Sequence, residues 1–96
     1  MLDLQADQLA MVRAILAEHV PQAKVWAFGS RVLGTAKKFS DLDLAIEAED
    51  ELSIGTLGEL RYAFEESDLP ISVDLLDMRT VNGPFKKIVE QQRVSI

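Results

Sequence analysis

Apolar residues recur at helical spacing from about Leu4 to His19. Leu9, Val12, Ile15 and Leu16 fall on one side, with Gln8, Arg13 and Glu18 on the other. This predicts a first helix, which Pro21 stops. The short apolar run from Lys24 to Phe28 predicts a strand closed by Gly29-Ser30. The pattern then switches to a period of two: Asp41-Leu42-Asp43-Leu44 opens a second strand that reaches Glu47. Leu57, Leu60 and Phe64 mark a further helix, starting near Ser53 or Thr56 and running to Ser67. Thr56 with Glu59 has the form of a capping box, while Gly55 and Gly58 weaken the first turn. After Asp68-Leu69-Pro70, a third strand runs from Ile71 to Leu76. Asn82-Gly83-Pro84 then opens a last helix to about Gln92, whose apolar face is Phe85, Ile88 and Val89. An α+β fold follows: a three-stranded sheet flanked by helices is the simplest way to bury these stripes.

Composition narrows the function without naming it. Ninety-six residues, with no repeat or linker, fit one domain spanning 1–96. The absence of cysteine excludes a disulfide scaffold, a thiolate metal site and a thiol nucleophile. A net charge of −6 argues against direct nucleic-acid binding, which needs a broad basic face. With neither a signal-like N-terminus nor an apolar run of membrane-spanning length, the expected location is the cytoplasm. The charge is also unevenly placed. Residues 41–77 hold 12 of the 16 acids and one base, Arg61, and the other nine bases lie outside. An acidic block beside a basic flank suits a site where carboxylates collect cations and cations collect phosphates.

The chemistry concentrates in residues 29–44. Gly29 permits a sharp turn after a strand, and Ser30 with nearby backbone N–H groups at a short helix start forms an anion site. Arg31, Lys37 and Lys38 add cations in the same loop. Asp41 and Asp43, at i and i+2 of a strand, point to one face about 6 to 7 Å apart. Leu42 and Leu44 then point into the core. Paired carboxylates are hard oxygen donors suited to Mg²⁺. Asp74 lies inside an apolar strand, where a carboxylate is costly unless paired or metal-bound. If its strand lies beside the Asp41–Asp43 strand, three carboxylates converge, enough for a two-metal site. Asp77, at the strand end, is expected to be exposed. His19, the sole histidine, sits at a helix end with no nucleophile beside it.

Gly29-Ser30, then Asp41-x-Asp43, then a later strand acid resembles the nucleotidyltransferases of the DNA polymerase β superfamily. The run Val25–Arg31 with Ser40–Leu44 is similar, more specifically, to minimal nucleotidyltransferase (MNT) domains. The resemblance implies a polymerase β-like palm with a small mixed sheet. It also implies Mg²⁺-dependent transfer of a nucleoside monophosphate, usually AMP from ATP, to a hydroxyl. On that resemblance Asp41 and Asp43 bind both metals, and Asp74 binds the catalytic metal and acts as base. Ser30 and the Gly29 backbone hold the triphosphate, with Arg31 as a phosphate or partner contact. It further implies an all-helical HEPN-type partner, the chain being an antitoxin that adenylylates a tyrosine of that partner. The alternative is a binding module that neutralises the helical partner by complex formation alone. Transfer to a small molecule is less favoured, because such enzymes carry additional helical regions.

Overall fold

The computed structural model describes residues 2–96. The elements are α1 (Ala6–His19), β1 (Lys24–Phe28), α2 (Ser30–Leu33), β2 (Leu42–Glu47), α3 (Ile54–Glu65), β3 (Val73–Asp77), α4 (Gly83–Gln92) and β4 (Val94–Ser95). The strands form one mixed sheet in the order β3-β2-β1-β4. The β1–β2 and β1–β4 pairs are antiparallel, while β2–β3 is parallel. The parallel pair requires a crossover, which α3 supplies.

The two faces of this sheet differ. On one, Ala27 of β1 and Leu42, Leu44 and Ile46 of β2 meet Val12 and Leu16 of α1 and Leu60 and Phe64 of α3. This is the main core, and all three β2 side chains are fully buried. On the other face a smaller cluster joins Ala45 and Met78 to Val89 of α4, with Trp26, Phe28 and Leu76 packed around it. Thus α4 covers only part of the second face.

Four expectations change. The sheet has four strands, because Val94–Ser95 pairs with Trp26 and Ala27. The third strand is shifted to Val73–Asp77, so Ser72 precedes it and its carbonyl accepts from the Leu42 N–H at 2.9 Å. Asp77 is buried, at 5% exposure: its carboxylate accepts from the N–H groups of Leu52 (2.8 Å) and Arg79 (2.9 Å). It ties the start of the α3 connection to the end of β3, so its burial is satisfied. At α3 the cap is Ser53, whose Oγ accepts from the Thr56 N–H at 3.0 Å, and the helix begins at Ile54. No helix among the described residues is long and apolar enough to cross a membrane.

Candidate active site

Strand register brings the expected acids together. Asp43 of β2 lies directly beside Asp74 of β3 across the parallel ladder. Asp41 precedes β2 by one residue and, at i and i+2, shares the Asp43 side of the sheet. Asp41 and Asp74 are exposed and Asp43 is half-buried. The carboxyl of Asp43 is pushed above its ordinary range. Burial is the main cause, followed by the charges of Asp74 and Asp41 and a side-chain hydrogen bond with Asp74. Like charges held this close disfavour full ionisation unless a cation joins them.

The register also explains the loop motif. Phe28 pairs with Asp43 across the antiparallel β1–β2 ladder, so Gly29 leaves β1 against the acid. Its φ of +80° and ψ of −156° lie in a region that is essentially restricted to glycine. A Cβ at this position would collide with Asp43 Oδ2. Glycine is therefore required twice, by the backbone and by the carboxylate. Ser30 starts α2, where the N–H groups of Val32 and Leu33 both bond to the Gly29 carbonyl at 3.0 Å. The ten residues between Ser30 and Asp41 form this short helix and the return loop.

Two residues take parts the sequence does not announce. Arg31 is only 7% exposed, and its donors are committed to carbonyls rather than left open for phosphate. It donates to Ser40 O from Nε (3.0 Å) and Nη2 (2.9 Å), and to Asp3 O from Nη1 (3.0 Å). A weaker reach to Lys38 O (3.2 Å) completes a clamp on the return loop just before Asp41. Its place in the structure is thus a positioning one, unlike the phosphate or partner contact that the resemblance implies. Gln92, at the end of α4, accepts from the Gly29 N–H at 3.1 Å through Oε1. It is 63 residues away in sequence, and no local signal marks it. Beside it, Arg93 stacks on the Trp26 ring at 4.2 Å. Lys37 and Lys38 remain exposed in the return loop.

Residues 9–96 match the nucleotidyltransferase domain family. The chain belongs to that family. It is 50% identical over 95 residues to the probable protein adenylyltransferase MntA of Haemophilus influenzae, covering 99% of this chain and 83% of that protein. Among solved structures it is similar to a toxin–antitoxin complex with AMP-PNP: 29% identity, TM-score 0.76, covering 90% of this chain and 69% of that one. It is also similar to a mutant MntA–HpeT toxin–antitoxin: 28% identity, TM-score 0.73, covering 97% of this chain and 72% of that one.

The donor set fits a divalent cation. Among the described residues no three acidic or imidazole side chains close into a ready-made metal cage. Mg²⁺ rarely uses one: it takes one or two carboxylates, keeps waters and shares substrate phosphates. Three repelling carboxylates on one open face, with an anion-compatible turn beside them, meet that preference.

Proposed function

We propose that this nucleotidyltransferase is an Mg²⁺-dependent protein adenylyltransferase. It moves AMP from ATP to a hydroxyl, a tyrosine of a HEPN-type helical toxin, and so acts as that toxin's antitoxin in the cytoplasm. The observation that carries this reading is the convergence of Asp41, Asp43 and Asp74 beside Gly29-Ser30 on one sheet face. The MntA relative and the toxin–antitoxin structure with AMP-PNP support the donor and the partner class.

The roles follow from position. Asp41 and Asp43, with Asp74, would hold the metal, which when bound neutralises phosphate charge and favours departure of pyrophosphate. Ser30 holds the triphosphate at the start of α2, while the Gly29 N–H, already bonded to Gln92 Oε1, fixes the turn rather than the nucleotide. Arg31 positions the return loop, and therefore Asp41, from beneath. Asp74, exposed at the side of Asp43, accepts the acceptor's hydroxyl proton as that oxygen bonds to the α-phosphorus. The bond from that phosphorus to the bridging oxygen breaks, and pyrophosphate leaves with its electron pair. Most of the catalysis is positioning and electrostatics.

The test is transfer itself. Mixed with α-labelled ATP, Mg²⁺ and its helical partner, the chain is expected to label the partner. Label transfer that survives Asp41→Asn combined with Asp43→Asn overturns the mechanism.

A further inference from the structure

The sheet ends on one side in the two-residue β4 and on the other in the longer β3. Beside β1 the edge is taken by β4. On the far side β3 is the last strand, and it has no lysine or proline within it, two common blocks to edge pairing. The ladder shows which backbone groups are left over. Leu42 N–H bonds to Ser72 O, and Met78 N–H bonds to Ile46 O, both at 2.9 Å. Along this parallel register the even-numbered residues of β3 face β2, so Val73 and Leu75 turn their N–H and C=O groups outward. Those groups border a groove of about 730 Å³ between β3 and α3, lined also by Arg61, Glu65 and Asp74.

This edge is continuous with the candidate active site. Across the sheet, Asp74 on β3, Asp43 on β2 and Gly29 at the end of β1 lie in that order. The triphosphate turn is therefore on one side of the acids and the open edge is on the other. A strand added to β3 would lie about 4.8 Å away, and its residue opposite Asp74 would project on the same face as Asp74. The charge around the edge is one-sided. Glu65 and Asp74 line the groove, and Glu66 and Asp68 are exposed on the turn that leads into it, against Arg61 alone.

Resting on the nucleotide-transfer reading above, we propose that the open edge of β3 is the acceptor dock. A basic segment of the acceptor protein that lies outside its helices adds there in extended form as a fifth strand and presents its hydroxyl beside Asp74. Backbone pairing supplies affinity in such strand addition, and alternate side chains supply specificity. The acceptor hydroxyl thus enters on the side of the acids away from the triphosphate turn, the side from which its oxygen can approach the α-phosphorus opposite the leaving pyrophosphate.

The chain has no cysteine, so Ser72→Cys places a single thiol on the exposed start of this edge, and Ala10→Cys places one on the exposed side of α1. With saturating purified helical partner, maleimide labelling of the Ser72→Cys thiol is expected to slow at least tenfold, while that of Ala10→Cys keeps its rate. Val73→Pro removes one outward N–H at an edge position where proline is tolerated. It is expected to lower AMP transfer at least tenfold with Kd for a fluorescent ATP analogue unchanged. Unslowed labelling of Ser72→Cys in the saturated complex overturns the dock, even where wild-type transfer is intact. Slowed labelling without any wild-type transfer upholds the dock and overturns the nucleotide-transfer reading instead.

Discussion

On one side of β2, Leu42, Leu44 and Ile46 are fully buried beneath α1 and α3. On the other side Asp43 is half-buried, with exposed Asp41 and Asp74 beside it. Ala45 shares that second side but is buried, because Val89 of α4 packs over it. The acids therefore occupy the part of the second face that α4 leaves open. Period two places a load of apolar burial and a cluster of repelling charge back to back on one strand. The sealed side holds the acids in a geometry they would not adopt unaided.

The largest effect separates the faces by activity. Replacing Asp41 and Asp43 together by Asn is expected to lower AMP transfer on the order of 10³-fold, the scale for removing transition-state charge stabilisation. The helical content, followed by circular dichroism, should stay unchanged. On the opposite face Leu44→Ala should cost about 2–5 kcal/mol of stability in denaturant unfolding, through lost burial and a cavity. Any loss of transfer there should track unfolding.

Gly29→Ala tests the contact between turn and acid. The backbone strain alone should cost about 1–3 kcal/mol. Because the added Cβ meets Asp43 Oδ2, transfer should fall further than stability explains. Transfer rates measured at temperatures where both proteins are folded separate the two effects.

The smallest effect has the opposite sign. Asp43→Asn removes a like charge beside Asp74 and should stabilise the metal-free protein by roughly 0.2–1 kcal/mol. The sign of the pH dependence follows from the raised Asp43 carboxyl, caused first by burial and then by Asp74 and Asp41. Its contribution to metal-free stability is complete below its unfolded pKa and is lost as pH rises through the higher folded value. Thermal melts in chelator across the acidic range should show this loss in wild type and its absence in Asp43→Asn.

The elements carrying strong periodicity were legible in the chain: β1 runs from Lys24 to Phe28 as expected, and the Asp41-x-Asp43 alternation places its leucines inside. β4 was not legible, because two residues show no period and Val94–Ser95 is a strand only through its partner, β1. Asp77 and Arg31 differ from expectation for one shared reason. Charged residues at an element end or in a loop are usually solvated, and only the tertiary structure supplies the N–H groups or carbonyls that satisfy them inside. Gln92 acts across 63 residues of chain, beyond any local pattern. For α4 the expected stripe is only partly a core stripe. Val89 is buried, but Phe85 and Ile88 are 47% and 46% exposed. Phe85 instead meets Phe28 edge-on, with ring centroids 6.4 Å apart.

The proposed site joins carboxylates from two neighbouring strands into one cation site beside the Gly29-Ser30 turn. Titration with Mn²⁺, followed by electron paramagnetic resonance in the presence of a non-hydrolysable ATP analogue, tests it most directly. Wild type is expected to take up Mn²⁺ with the nucleotide, and the Asp41→Asn, Asp43→Asn protein is expected to lose that uptake. Equal Mn²⁺ uptake by the two folded proteins would overturn that site.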